Sequence, residues 1–312
     1  MKDGERRLKQ DRMKVRMIDV DGHNFPNLPL MKLSAWHKEK GDSVEWYDPL
    51  TSWYEIPDRV YMSKVFTFTP DYEHPVHGKT IIKGGTGYFY PDGGFSLPSQ
   101  IEHIYPDYSL YPQHCKDTAY GFLTRGCPRG CKFCIVGEKE GLKSRKVADL
   151  EEFWKGQKNI VLLDPNLTAC KDWKDLIKQL IDSKARIDFS QGIDIRVMTE
   201  EKAEYLSKVN TKSVHFAWDR YEDKEIIIPR LKMFKEISGW NRGKMSVYVL
   251  VGFNTTFEQD LERVYTLIDL GYSPYVMIYG KYKKKKKDPL IRLQRWSNAR
   301  ICFSCKFEDY IN

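Results

Sequence analysis

Six short apolar runs recur after residue 115, most of them followed by a stretch of helical period. This alternation limits what the chain can fold into more than any other feature. The runs are YGFLTR (120–125), NIVLLDP (159–165), RIDFSQG (186–192), SVHFAWD (213–219), SVYVLVGF (246–253) and PYVMIYG (274–280). Runs of this kind read as strands buried in a parallel sheet. Between them, WKDLIKQLIDSK (173–184) and TFEQDLERVYTLIDLG (256–271) are amphipathic. In the second, Phe257, Leu261, Val264, Leu267 and Ile268 make one apolar stripe, and Gly271 is a suitable stop. Six strand–helix units in series imply a parallel sheet with right-handed crossovers. Six units are too few for an eight-fold barrel, so an open, partial barrel is expected, with its active site at the C-terminal ends of the strands.

The N-terminal part is shorter. KVRMIDV (14–20) reads as a strand, and NLPLMKLSAWHKEKG (27–41) as a helix with Asn27 as N-cap, Pro29 in the first turn and Gly41 at the end. SVEWYD (43–48), RVYMSKVF (59–66) and TIIKGG (80–85) supply three further strands. The segment 90–112 is rich in Pro, Gly, Ser and Tyr and reads as a linker. The expected fold class is therefore α/β: a partial (β/α)6 TIM-like barrel preceded by a small Rossmann-like α/β domain. The expected boundaries are a charged tail at 1–13, the small domain at 14–89, the linker at 90–114, the barrel core at 115–281 and a basic tail at 282–312.

Hydrophobic residues at 41% and charged residues at 30% suit a globular chain. No apolar run reaches the roughly 18 residues of a membrane helix. The first residues, MKDGERRLKQDRMK, are too charged for a signal peptide, so a cytoplasmic location is expected. In that reducing compartment clustered cysteines point to metal binding or catalysis rather than disulfides. The net charge of +8 allows a nucleic-acid partner without requiring one.

Such a cluster lies at GFLTRGCPRGCKFC (121–134), where Cys127, Cys131 and Cys134 follow the first strand. Thiolates select zinc, copper(I) or iron–sulfur clusters. Structural zinc takes four protein ligands. Three thiols on one short loop wrap one corner of a cube-shaped cluster and leave one of its irons open. Gly126 and Gly130 allow close backbone approach, and Arg125, Arg129 and Lys132 offset negative charge. The competing readings are unrelated buried thiols, or a zinc site completed by Cys115 or Cys170.

A CxxxCxxC loop at the end of the first strand of a six-unit partial barrel resembles the radical S-adenosylmethionine (SAM) superfamily over residues 115–281. The resemblance implies that Cys127, Cys131 and Cys134 bind a 4Fe–4S cluster whose fourth iron chelates SAM. One electron, drawn from a flavodoxin- or ferredoxin-type donor, then cleaves SAM to a radical that abstracts hydrogen from substrate. It implies that Phe133 lies near the adenine, and that Asp164 and Asn166, after the second strand, meet the SAM amino group. Asp194 and Arg196, after the third, become candidates for the ribose or carboxylate, and Gly252, after the fifth, for the adenine. The acidic residue sometimes found at that last turn is replaced by Thr255 or Thr256. Each of these polar residues also has a plainer reading as a cap or turn former. Trp218 and Asp219 end the fourth strand facing the expected cavity, where Trp218 reads equally as core packing.

Three stretches of the small domain resemble the cobalamin-binding domain found upstream of many radical SAM cores. DGHNFP (21–26) places Asp21 and His23 as in the cobalt-ligating motif, with Pro26 in place of its glycine. Ser63 in SKV, and Gly84 and Gly85 in GGTG, match the positions around the nucleotide tail. The rival reading is a domain that keeps the fold without the cofactor. Cobalamin would favour methyl transfer.

KYKKKKKDP (281–289) is a solvated loop or a phosphate contact, and on the second reading RNA or DNA is the first substrate guess, a small metabolite or peptide the second. Cys302 and Cys305 would need two further ligands to make an auxiliary metal site; otherwise 295–310 reads as an amphipathic cap on the barrel. The expectation is thus a radical SAM enzyme. The rival from another class is a non-catalytic iron–sulfur or zinc module that binds nucleic acid.

Overall fold

The computed structural model describes residues 12–281 and 287–310; the lysines at 283–286 and most of the charged N-terminal tail lie outside them. The chain is mixed α/β and falls into two compact units. The first runs through Ala119 and includes Glu151–Phe153, and the second holds the rest.

The first unit is built from β1 (Lys14–Asp19), α1 (Leu28–Glu39), β2 (Ser43–Trp46), β3 (Arg59–Ser63) and β4 (Thr80–Gly84), followed by α2 (Ser99–Glu102) and α3 (Pro112–Cys115). The strands form one sheet in the order β2-β1-β3-β4, every pair parallel. The α1 helix starts where the Asn27 side chain accepts a hydrogen bond from Leu30 N at 3.3 Å, with proline in the first turn. It buries Leu28, Leu30, Met31 and Leu33. Ile18, Tyr47, Val60 and Met62 form a core cluster on the sheet. The segment 90–114, expected as a linker, carries both short helices and buries Ile101, Leu110 and Tyr111.

After β5 (Thr118–Gly121), which spans the boundary, the strands of the second unit are β6 (Thr124–Arg125), β7 (Arg145–Lys146), β8 (Asn159–Leu162), β9 (Arg186–Phe189), β10 (Val214–Ala217), β11 (Met245–Val251) and β12 (Ser273–Ile278). The helices are α4 (Val136–Glu140), α5 (Trp173–Ser183), α6 (Glu200–Ser207), α7 (Lys224–Ser238), α8 (Phe257–Asp269) and α9 (Pro289–Asn298). Among the described residues no closed sheet is present. The expected single layer is two three-stranded sheets, β5-β8-β9 and β10-β11-β12. The break has a local cause. After β9 the chain turns, Gly192 N donating to Phe189 O, and Gly192 sits at φ +81° with its bare Cα facing His215 O. The contact across the gap is reduced to the Ile187–Thr211 bridge and single bonds such as Ile193 N to His215 O, 2.7 Å.

The first expected strand, 120–125, is also interrupted. The amides of Leu123 and Thr124 donate to the Asp164 carboxylate at 3.1 and 2.6 Å instead of to a neighbouring strand. Thr124 and Arg125 then pair antiparallel with Lys146 and Arg145, closing the base of the cysteine loop.

The strands are not buried on both faces as their apolar runs suggested. Ile160, Leu162, Ile187, Phe189, Val214, Phe216, Val247, Val249, Val276 and Ile278 are buried on one face, where α7 brings Phe234 to 4.9 Å from the Phe216 ring and α8 and α9 lie on β12. Asp188, His215, Tyr248, Tyr275 and Met277 alternate with them on a more open face, with the His215 and Tyr248 rings stacked at 5.2 Å. The stripe of α8 is shifted as well: Asp260 and Arg263 are buried beside Val264 and Leu267, whereas Leu261 and Ile268 are half-buried. Among the described residues no helix is long and apolar enough to cross a membrane.

Candidate metal centre

The cysteine loop leaves β6 through Gly126. That residue has φ +85°, and a Cβ there would lie 2.3 Å from Lys143 O, so only glycine lets the two arms of the loop approach this closely. Glu140 straps the arms together, accepting from Arg125 Nη1 at 2.8 Å and from Gly126 N at 3.0 Å. Cys127 N donates to Gly141 O at 3.1 Å, and Cys134 N to Cys131 O at 2.9 Å. Cys127 and Cys131 are half-buried and Cys134 is exposed. Burial pushes the half-buried Cys131 thiol up from its ordinary pKa. Among the described residues no three His, Cys, Asp or Glu side chains are grouped to hold one metal ion, the loop thiols included.

Asn166 and Asp194 meet this loop. Asn166 is 2% exposed, and its Nδ2 donates both to Cys127 Sγ at 3.4 Å and to Asp194 Oδ2 at 3.2 Å. Its Oδ1 is buried with no hydrogen-bond partner among the described residues. Asp194 also accepts from Arg129 Nε at 2.7 Å, Arg196 Nε at 2.8 Å and Arg196 N at 3.0 Å. Arg196 reaches on to Asp223 at 3.1 Å. Burial alone would raise the Asp194 carboxyl, but Arg129 and Arg196 hold it below the usual carboxylate range. Asp194 and Arg196 are thus occupied with each other, and Arg129, read in the sequence only as a charge offset, is the link from the loop to the end of β9.

Asp164 sits one step further back. Besides the two amides it accepts from Thr124 Oγ1 at 2.6 Å, and burial pushes its carboxyl up to about 6 against those hydrogen bonds. Phe133 meets Phe253 edge-on at 5.3 Å, and Phe253 meets Tyr279 at 4.7 Å, so an aromatic row joins the cysteine loop to the ends of β11 and β12. Gly252 carries this turn at φ +71°, but a Cβ there would fall 2.8 Å from Leu290 Cδ1, so its open side is closed by that side chain. Asp219, half-buried after β10, lies within electrostatic reach of Cys131, Cys134 and Arg196, and burial raises its pKa. Trp218 is core, 1% exposed with Nε1 donating to Arg220 O.

Most of the cobalamin-like residues of the first unit have partners within the chain. Asp21 accepts from Val65 N and Phe66 N and from Thr69 Oγ1, and forms no bond with His23. The His23 ring lies 4.1 Å from the Trp46 ring. Ser63 Oγ accepts from Asn27 Nδ2 at 2.9 Å. A Cβ on Gly85 would fall 2.2 Å from Lys64 O, so this glycine admits the chain's own backbone, although Gly84 has open space. These residues do not fit the cobalamin set. Cys302 is buried with its thiol toward Ser297 O, Cys170 toward Asp172, and Cys115 is buried in α3 of the first unit.

No model of a protein family matches the sequence, and comparison with curated proteins finds no match. Two solved structures of SuiB from Streptococcus suis overlap with the chain, one bound to S-adenosylmethionine and one to the precursor peptide SuiA. Both give a TM-score of 0.39 at 14% identity. The overlap takes in 68% and 69% of this chain but about half of SuiB, 52% and 54%. At that level the likeness decides nothing about function.

Proposed function

We propose that the second unit is a radical SAM module, its two parallel sheets forming one open barrel layer, with Cys127, Cys131 and Cys134 holding a 4Fe–4S cluster. The donor set suits that group. Soft thiolates on one loop are what an iron–sulfur cluster takes, and each thiolate binds a different iron, so the thiols need not converge on a point as they would for zinc. Bound there, the cluster would supply the electron that splits SAM reductively.

The observation that carries the reading is the orphaned Oδ1 of Asn166, buried beside Cys127. A buried acceptor without a donor is costly, on the order of 1–3 kcal/mol, and is satisfied once a ligand N–H arrives. The amino group of SAM supplies such a donor. Phe133 and Phe253 offer the adenine an aromatic surface, and Arg129 and Arg196, through Asp194, hold the loop against the end of β9. The open strand face with Asp188, His215, Tyr248 and Tyr275 is the side left for substrate. The substrate class rests on sequence alone: the run at 283–287 makes RNA or DNA the first to test. A flavodoxin- or ferredoxin-type protein is the electron donor this chemistry requires.

Anaerobic reconstitution tests the proposal. Roughly four irons per chain are expected, with a reduced-state EPR signal that changes on adding SAM. Cys131→Ala should lose both. Zinc in place of iron, or an iron signal indifferent to SAM, overturns the reading in favour of the non-catalytic module.

A further inference from the structure

We infer that Asn166 is a positioning residue for the Cys127 thiolate, setting the reduction potential of whatever cluster that thiol holds. The inference deepens the radical SAM reading and rests on it. Asn166 is fixed from three sides. Its backbone carbonyl accepts from Ser144 Oγ at 2.8 Å, and its amide nitrogen is shared between Cys127 Sγ and Asp194 Oδ2. Asp194 is itself anchored by Arg129 and Arg196. The way the amide faces follows from chemistry. An ionised thiolate and a carboxylate only accept, so the NH2 group must turn to them; turning the amide over would set Oδ1 against two anions.

A donor on a ligating sulfur withdraws part of the charge that one-electron reduction adds. It therefore favours the reduced state and raises the potential. Loop N–H groups can act in the same way, but the Asn166 donor comes from a side chain 39 residues along the chain, beyond β8. Its strength is set by the network that joins Arg129 of the loop to Asp194 and Arg196. Substitution at this position thus tunes the centre while leaving all three thiols in place.

The test is an EPR-monitored redox titration of reconstituted wild-type protein beside Asn166→Ala, Asn166→Ser and Asn166→Asp, with iron content and melting profile recorded for each. Alanine and serine remove the donor, since a serine hydroxyl is too short to replace it. Aspartate keeps the shape and substitutes an anion. The expected order of midpoint potential is wild type highest, alanine and serine lower, aspartate lowest. The three variants are read independently, so any one that folds and holds iron decides. An unchanged potential in such a variant overturns the inference. A wild-type protein that takes up no cluster overturns the radical SAM reading instead.

Discussion

Gly126 shows how little freedom the site has at the scale of one residue. Its φ of +85° and the nearby Lys143 carbonyl both exclude a side chain. Gly126→Ala should cost on the order of 1–3 kcal/mol of stability in a denaturant melt and lower iron uptake with it; an alanine variant as stable as wild type would show that the loop is looser than described. Asp19 makes a second prediction. Burial pushes its carboxyl up to about 6, opposed by the 2.7 Å hydrogen bond from Tyr111 and helped by the charge of Asp21. The fold favours the protonated form, so this contribution is complete below pH 4 and is lost as pH rises through about 6. The difference is on the order of 3 kcal/mol. Melting temperature should fall over that window relative to Asp19→Asn, in which the fall should be flattened; equal slopes in the two proteins would contradict it. At this scale the thiols were legible because three cysteines in eight residues need no tertiary knowledge. The Asn166–Cys127 bond was not, because it spans 39 residues and depends on where β6 and β8 end.

Elements were legible where local pattern decides them. The α1 cap at Asn27, the Gly271 stop and strands β8 to β12 follow from apolar runs and turn residues. Legibility failed where a distant side chain replaces a backbone partner. Asp164 takes two amides of the first expected strand and breaks it, and nothing local to residues 120–125 announces that. It failed again on α8, where the expected apolar stripe included neither Asp260 nor Arg263. Asp260 and Arg263 are paired at 2.5 Å and buried, and Arg263 also donates to Trp218 O and Leu250 O, tying the helix to the ends of β10 and β11. Asp260→Ala leaves the guanidinium buried without its counter-charge and should cost about 3–5 kcal/mol in urea unfolding. A loss below 1 kcal/mol would mean that the pair is held by the helix rather than holding it.

For the whole molecule, the sequence supported a two-part organisation, but the resemblance to a cobalamin domain rested on short motifs whose side chains the fold uses for itself. Hydroxocobalamin added to the purified protein should not be retained on desalting, and stoichiometric retention would contradict the account of Asp21 and His23. If the run Lys283–Lys287 holds nucleic acid, replacing all five lysines with glutamine should reduce the slope of log K against log salt by about one unit per lysine. A flat salt response would move the substrate to a small molecule or peptide. The central claim is that the Cys127, Cys131 and Cys134 loop supports reductive cleavage of SAM. Its most direct test is to reduce the anaerobically reconstituted protein with dithionite in the presence of SAM and measure 5′-deoxyadenosine by chromatography. The account predicts its formation by wild type, with none from the triple Cys→Ala variant; no 5′-deoxyadenosine from an iron-loaded wild type, or equal amounts from both proteins, would contradict it.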